Sequence, residues 1–369
     1  MTREFEIGPI RPPSEAESLL LRVTRNCPWN KCKFCTLYKK HKFSARPVEE
    51  IKADIDQVAL YRSNILEGIP ESLNELPEET AERYLYIMRW LSCGEESVFL
   101  QDANTMVLSY NKLLEILIHL REKLPNVKRV TTYGRVDSLA KFTLEQLTEL
   151  KKAGLDRIHS GYESGSDMVL TLLNKGYTKA QEIEAGQKVK ASGIELSVYY
   201  MPGSGGAMLS DDNAIETADV INKVNPDFVR IRTFVAQRGT ELHDEICSGN
   251  MAECTDIGKM LELKKMIEHI DGADGHLYSD HIINLFEEVN GNLKNDKAKL
   301  LSVFENFLAL DSTEQRRYQV ARRMGLVRSL SHLARLSPIQ RETVDEYLSQ
   351  LCDEEEFERF LSRLLRRYI

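Results

Sequence analysis

The 369-residue sequence lacks a long apolar run, a secretion signal and an excess of positive charge. A membrane-spanning helix needs about 20 largely apolar residues, and no uninterrupted run of about 18 occurs. The N-terminal Met-Thr-Arg-Glu-Phe-Glu-Ile does not join a basic segment to an apolar one, as secretion signals do. We therefore expect a cytoplasmic protein with no membrane partner.

Acidic residues outnumber basic ones, 57 to 49, which gives a formal net charge of −8. This balance does not favour broad electrostatic attraction to nucleic acid or to anionic membranes. A local basic patch leaves RNA binding open. The C-terminal arginines Arg363, Arg366 and Arg367 could contact RNA or an acidic partner, but a solvated helix face is the simpler interpretation.

Cysteine is also scarce, and its odd count of seven fits a reducing compartment better than a disulfide framework. Three of the seven lie within nine residues, at Cys27, Cys32 and Cys35. Thiolates spaced by four and then two residues can converge on an iron–sulfur cluster, and a three-cysteine set leaves one iron open for chemistry. Two alternatives remain: a zinc knuckle with His41 as fourth ligand, and adjacent reduced cysteines without a metal.

The other four cysteines have no spacing typical of metal ligands, although two of them are close in sequence. They are Cys93, Cys247, Cys254 and Cys352. A second cluster is therefore not predicted.

Apolar runs compatible with strands alternate with helical patterns, as expected for a parallel sheet built from βα units. The runs cover residues 18–24, 97–100, 129–133, 157–162, 195–201 and 228–234. Pro47 and the carboxylates after it predict a helix that runs to about Tyr61. A helical insertion is expected at about 63–95, with its helix over 78–91. This insertion could cover a site, bind a partner or simply decorate the surface.

Beyond residue 242 the pattern is mainly that of amphipathic helices. These are expected over 260–270, 280–289, 297–310, 312–323 and 344–368. The sequence therefore predicts two domains, a barrel over 1–245 and a helical domain over 246–369. His281 can contact a site if this second domain folds over the barrel, but an isolated histidine more often has a structural role.

The cysteine motif resembles that of the radical S-adenosylmethionine (SAM) enzymes, whose three cysteines follow the first strand of a barrel. Their usual spacing is three and two, so this chain resembles a one-residue expansion of the first interval. The stretch from Gly161 to Asp167, which reads Gly-Tyr-Glu-Ser-Gly-Ser-Asp, resembles the subgroup of oxygen-independent coproporphyrinogen oxidase and methylthiotransferases. The resemblance implies an α/β fold, a partial (β/α)6 TIM-like barrel with a C-terminal helical domain.

The resemblance also implies two cofactors, a 4Fe-4S cluster and SAM. Cys27, Cys32 and Cys35 match the cluster ligands, and Phe34 matches an aromatic position whose backbone faces the adenine. The residues that match SAM-binding positions at the ends of later strands are Asp102, Asn104, Glu163, Ser164, Gly203 and Gly205. At the segment of Asp102 and Asn104 the family usually has two glycines and an acidic residue, which hold the amino group of SAM. A turn with satisfied backbone amides is the alternative there.

The activity implied by the resemblance is reductive cleavage of SAM, which yields methionine and a 5′-deoxyadenosyl radical that abstracts hydrogen from an organic substrate. Tyr133, Tyr199 and Arg232 are the candidate catalytic residues; core packing for the tyrosines and an ion pair for the arginine are the alternatives. Expected partners are a small-molecule or biosynthetic-intermediate substrate and an electron donor such as flavodoxin or ferredoxin. Two other functions stay open: trafficking of a cluster or heme, and a zinc-stabilised RNA-binding module.

Overall fold

The computed structural model describes residues 4–68, 73–351 and 353–368, so Cys352 and part of the predicted insertion lie outside the described residues. Within these ranges most strands belong to one mostly parallel sheet and two short ones form a separate pair, which confirms the predicted α/β fold class. The strands are β1 (Leu19–Arg22), β2 (Thr24–Arg25), β3 (Ser44–Ala45), β4 (Ser97–Gln101), β5 (Arg129–Tyr133), β6 (Leu155–Glu163), β7 (Glu195–Tyr200), β8 (Phe228–Ile231), β9 (His276–Tyr278) and β10 (Gly291–Asn292).

The helices that follow and separate these strands are, in chain order, α1 (Val48–Glu67), α2 (Glu78–Ser92), α3 (Tyr110–Lys123), α4 (Val136–Leu139), α5 (Leu144–Lys152), α6 (Asp167–Leu172), α7 (Lys179–Ala191), α8 (Ser210–Val224), α9 (Glu241–Cys247), α10 (Asp256–Glu268), α11 (Lys297–Leu308), α12 (Ser312–Arg323), α13 (Pro338–Ser349) and α14 (Glu354–Leu365). None of the described helices is long and apolar enough to cross a bilayer.

The chain divides into two compact units, and the first contains residues 1–30, 40–160 and 188–196. In this unit β1 pairs with β4, β4 with β5 and β5 with β6, always in parallel, whereas the short β2 and β3 pair antiparallel. Leu19, Leu20 and Leu21 are all buried. Consecutive buried residues are expected where helices cover both faces of a parallel sheet.

The second unit contains residues 31–39, 161–187 and 197–369, so β6 and β7 contribute residues to both units. Here β7 pairs with β8 and β8 with β9 in parallel, and β10 closes the edge antiparallel to β9. The strands β9 and β10 were not predicted. They are three and two residues long, which is too short for a periodic pattern to be read.

The prediction of a helix over 280–289 is wrong. Ile283 and Phe286 are buried, as the apolar pattern indicated, but the segment has no helical backbone. The side chain of Asn284 instead donates to the carbonyl oxygen of Ile231 at 3.0 Å, and the Ser279 hydroxyl donates to the Phe286 carbonyl at 2.6 Å. These hydrogen bonds link the segment to β8 and close its own turn, so tertiary bonds replace helical ones.

Two helix boundaries also differ from the predictions. Helix α1 continues to Glu67, beyond the expected end near Tyr61. The single helix expected over 344–368 is two helices, α13 and α14, because the Asp353 side chain accepts a hydrogen bond from the Glu356 amide at 2.7 Å and caps a new helix. Helix α12 has the predicted bounds.

Candidate active site

The three clustered cysteines occupy the loop after β2. Cys27 belongs to the first unit, where its sulfur accepts a hydrogen bond from the Asn30 amide at 3.4 Å. Cys32 and Cys35 belong to the second unit, in which Cys32 is buried and Cys35 is half-buried. The donor set is chemically suited to an iron–sulfur cluster, since all three ligands are thiols on one short loop. The ligand assignment stays a prediction.

Among the described residues, no group of three or more His, Cys, Asp and Glu side chains stands together in a metal-binding arrangement. His41, the fourth ligand in the zinc alternative, has an exposed side chain.

Within the second unit, the segment that carries Cys32 and Cys35 is held by backbone hydrogen bonds on both sides. The Lys33 amide donates to the Leu173 carbonyl at 3.0 Å, and the Leu242 amide donates to the Lys33 carbonyl at 3.2 Å. Phe34 packs against a buried apolar cluster that includes Leu173 and Leu242. The loop is therefore positioned by the residues after α6 and at the start of α9, rather than by its own sequence alone.

Glu163 ends β6 with a positive φ of 67°, an uncommon conformation for a residue other than glycine. The Lys175 ammonium lies 3.3 Å from the Glu163 carboxylate and donates to the Gly161 carbonyl at 2.7 Å. The same ammonium lies 5.6 Å from the centre of the Phe34 ring. Lys175 therefore connects two predicted SAM-binding residues, whereas the sequence pattern indicated only that its segment resembles the family.

The serines after Glu163 have structural hydrogen bonds, and the Ser166 hydroxyl also donates to the Asp212 carboxylate. The Ser166 hydroxyl accepts a hydrogen bond from the Val169 amide at 3.2 Å and caps α6, while the Ser164 hydroxyl accepts from the Ser166 amide at 2.9 Å. Ser164 is fully buried. Ser166 is therefore the N-cap of α6.

The glycine-rich loop after β7 contains Gly203 and Gly205. Gly203 has φ +85°, and a Cβ there would lie 2.7 Å from the Lys259 side chain. At Gly205 a Cβ would approach Val169 and Leu209 to 2.9 Å. The backbone therefore comes closer to its neighbours than a side chain would permit, which is the reason for glycine at these positions.

A buried carboxyl group that the sequence did not indicate holds this loop. Glu262, on α10, accepts hydrogen bonds from the Tyr200 hydroxyl at 2.8 Å, the Gly203 amide at 2.9 Å, the Ser210 hydroxyl at 2.7 Å and the Asn213 amide at 2.6 Å. Burial raises the pKa of Glu262 to about 7, and the four hydrogen bonds oppose this rise. Because Glu262 lies 59 residues from Gly203, no local sequence signal could have paired them.

In the first unit, the predicted SAM-binding side chains Asp102 and Asn104 are fully buried. The Asp102 carboxylate pairs with the Arg22 guanidinium at 2.9 Å and accepts from the Asn26 amide at 3.2 Å. The Asn104 side chain donates to the Ser138 hydroxyl at 2.8 Å and accepts from the Arg135 backbone amide at 3.0 Å. These bonds join segments that are distant in sequence and are not the local bonds of a turn, so the SAM-binding role and the turn alternative both stay predictions.

The three candidate catalytic residues have partners within their own units. Tyr133 packs edge-on against Phe99 in the first unit, with ring centres 5.0 Å apart. In the second unit, Arg232 lies 5.2 Å from the centre of the Tyr199 ring and 3.3 Å from the Asp280 carboxylate. The catalytic roles stay predictions.

Asp280 also pairs with Arg230 at 2.9 Å, so it is the counter-charge for both arginines of the β8 segment. Beside it, burial and then the charge of Arg232 lower the pKa of His281 to about 4, which keeps this imidazole neutral near pH 7.

The sheet and the loop define an α/β protein with a mostly parallel sheet and three cysteines in the loop after β2. The family model described as the radical SAM superfamily matches residues 21–218, which is more than half of the chain. The chain therefore belongs to the radical SAM superfamily, which is a superfamily of enzymes.

Among curated proteins, the chain is similar to tRNA-2-methylthio-N(6)-dimethylallyladenosine synthase of Syntrophus aciditrophicus, with 22% identity over 63% of this chain and 45% of that relative. Among solved structures, it is similar to the archaeal Methanocaldococcus infernus Elp3 (17% identity, TM-score 0.44, 61% of this chain and 58% of that one). It is also similar to coproporphyrinogen III oxidase from Escherichia coli (14% identity, TM-score 0.37, 59% and 49%). The chain thus spans less than half of that curated relative.

Proposed function

We propose that this protein is a radical SAM enzyme that binds a 4Fe-4S cluster through Cys27, Cys32 and Cys35. The observation that carries the proposal is the family match, because residues 21–218 contain all three cysteines and every predicted SAM-binding residue. When bound, the reduced cluster and SAM supply methionine and a 5′-deoxyadenosyl radical, which takes a hydrogen atom from an organic substrate. A reduced flavodoxin or ferredoxin is the proposed source of the electron.

The protein's own residues bind and orient the cofactor in this proposal. Glu163 accepts hydrogen bonds from the SAM ribose, and Lys175 holds the Glu163 carboxylate in place at 3.3 Å. Phe34 presents its backbone to the adenine, and the backbone amides at Gly203 and Gly205 approach the ligand closely. The remaining proposed contacts come from Asp102, Asn104 and Ser164.

The substrate class, the location and the domain division are further parts of the proposal. The substrate is a small organic molecule or a biosynthetic intermediate, and the tRNA-modifying name of one relative keeps RNA among the candidates. Cysteine usage supports a cytoplasmic location. The division into a barrel over 1–245 and a helical domain over 246–369 follows the predicted pattern.

The test is anaerobic reconstitution with iron and sulfide, reduction with dithionite in the presence of SAM, and quantification of 5′-deoxyadenosine by mass spectrometry. We expect product from the wild type and none from Cys27→Ala, Cys32→Ala or Cys35→Ala. Cys93→Ala is the matched control, since Cys93 is exposed at the end of α2 and lies outside the motif. Cluster absorbance that persists in all three motif variants would refute the ligand assignment.

A further inference from the structure

The second unit contains a large cleft that no assigned function uses. Its volume is about 1830 Å³, and its lining includes Thr36 and Leu37, which directly follow Cys35. Its lining also includes residues from α13, from α14 and from the short helical turn Arg366–Tyr368. Small-molecule sites usually measure about 300–1,000 Å³, so this cleft has room for a large substrate beside the cysteine loop.

The acidic side chains of the cleft are largely neutralised. Glu253 lies 3.1 Å from the Lys259 ammonium, and Glu355 lies 3.5 Å from the Arg359 guanidinium. Burial, followed by the nearby charge of Asp256, raises the pKa of Glu358 to about 7. Glu356 is the remaining glutamate of the lining, and within the described residues it has no ion pair. The negative charge that would repel an anion is therefore reduced at the other three.

The basic side chains of the cleft are not neutralised in the same way. Arg238, Arg363, Arg366 and Arg367 line it, and no carboxylate of the described residues lies within ion-pair distance of their guanidinium groups. The Nε atom of Arg366 is buried without a hydrogen-bond partner in the described part of the chain. A buried guanidinium nitrogen that lacks an acceptor is costly, and a bound oxyanion would supply that acceptor.

The three C-terminal arginines lie close together along the chain. Arg363 lies in the last turn of α14, and Arg366 and Arg367 belong to the helical turn that directly follows this helix. The Arg363 guanidinium lies 5.6 Å from the centre of the Phe360 ring, and this ring packs against the ring of Tyr347. Aromatic rings therefore lie beside the positive charge.

We propose that the arginine-lined end of this cleft binds the phosphate groups of a phosphorylated substrate. Guanidinium groups bind phosphate oxygens in pairs through a planar fork, which favours arginine over lysine at such sites. The exposed ring of Tyr347 then stacks against an attached ring. The phosphate can belong to a small phosphate ester or to an RNA strand. The link to a substrate rests on the proposed function, whereas the binding itself does not require radical chemistry.

The test measures binding to the full-length protein with two probes, uridine 5′-diphosphate by calorimetry and a fluorescein-labelled single-stranded RNA by anisotropy. The double variant Arg363→Gln/Arg367→Gln changes two exposed residues, so the fold should survive. We expect it to weaken binding of the preferred probe at least about tenfold, since charged hydrogen bonds contribute about 1.5–3 kcal/mol each. Arg335→Gln, at an exposed arginine outside the cleft, is the matched control and should bind as the wild type does.

Each outcome decides the inference. Tight RNA binding that weakens steeply with salt, with little uridine diphosphate binding, supports the proposal and assigns the phosphates to RNA. Binding of uridine diphosphate at least as tight as that of the RNA supports it and assigns them to a small ester. Arg366→Lys should lose part of the affinity in either case. The proposal is overturned if neither probe binds the wild type, or if the double variant and Arg335→Gln bind alike.

The SAM-cleavage assay is run on the same protein preparations. If phosphate binding depends on the arginines but no 5′-deoxyadenosine forms, the cleft assignment stands and the proposed radical chemistry fails. If SAM is cleaved but neither probe binds, only the cleft assignment fails.

Discussion

Both units have an acidic residue at the end of a strand, but the two side chains differ in their exposure to solvent. In the first unit, the carboxylate of Asp102 has no solvent exposure and is paired with Arg22. In the second unit, the side chain of Glu163 is 15% exposed to solvent, and the Lys175 ammonium contacts one of its oxygens. An acidic residue at a strand end can therefore be fully enclosed with its counter-charge or keep part of its side-chain exposure.

The largest effect expected from this comparison is on stability in the first unit. Arg22→Ala removes the cation from a fully buried carboxylate, which typically costs about 3–5 kcal/mol because the remaining charge is uncompensated. Urea unfolding of the variant measures this loss. Lys175→Met is the matched change in the second unit and should cost less, because Glu163 still reaches solvent.

The double variant Arg22→Ala/Asp102→Asn is the control for that explanation. It should recover part of the lost stability, since no buried charge is left unpaired. Equal losses for Arg22→Ala and Lys175→Met would show that the difference in exposure does not matter.

A pH-dependent effect of similar size on the stability of the fold is expected from Glu262, which holds the glycine-rich loop. Its pKa is raised to about 7 in the folded state, so the folded protein binds more protons than the unfolded chain above about pH 4.5. Stability contributed by the protonated group is thus lost as the pH rises from about 4.5 to 7, by on the order of 3 kcal/mol.

Glu262→Gln should flatten this part of the stability profile, because the amide does not titrate. Chemical unfolding of the wild type and the variant between pH 4.5 and 8 provides the measurement. Glu358, whose pKa is also raised to about 7, and His281 titrate in both proteins, so only the difference between the two profiles is assigned to Glu262. Parallel profiles would contradict the prediction.

A smaller effect is expected on ligand affinity at the end of β6. Glu163→Gln should weaken SAM binding at least about tenfold, since a charged acceptor of the ribose hydroxyls becomes neutral. Equilibrium binding of SAM to the reconstituted protein measures this, with iron content as the check on the cluster. Unchanged affinity would remove the ribose role.

The smallest effect is expected three residues further on. Ser166→Ala removes the cap of α6 and should cost about 1 kcal/mol of stability. SAM affinity should remain unchanged, because the Ser166 hydroxyl bonds to the first turn of α6 and to the Asp212 carboxylate. A loss of affinity as large as that of Glu163→Gln would mean that the motif acts as one structural unit.

Much of the fold was predictable because it depends on patterns within short segments. The runs that became β4 and β5, and the whole of α12, follow from periodic apolar residues. The failures have specific causes. The segment 280–289 carries apolar residues at helical spacing, but Asn284 bonds to β8 and replaces the helical hydrogen bonds.

The candidate site was predictable where its chemistry lies on one loop or at one strand end. The cysteine spacing, Glu163 and the glycines at 203 and 205 are all readable from local sequence. Lys175 and Glu262 are not readable in this way. Lys175 contacts Glu163, which is 12 positions away, and Glu262 bonds to Gly203, which is 59 positions away. Such partners become visible only when the chain is folded.

The sequence by itself determined the fold class, the family and the residue types offered to a cluster and to SAM, since these depend on spacing and periodicity along the chain. The tertiary structure alone decided which polar groups are enclosed. It paired Asp102 with Arg22, left part of Glu163 exposed and placed Glu262 beneath the Gly203 amide. The physical reason is that charge compensation and burial depend on neighbours in space, which for these groups lie far away in sequence.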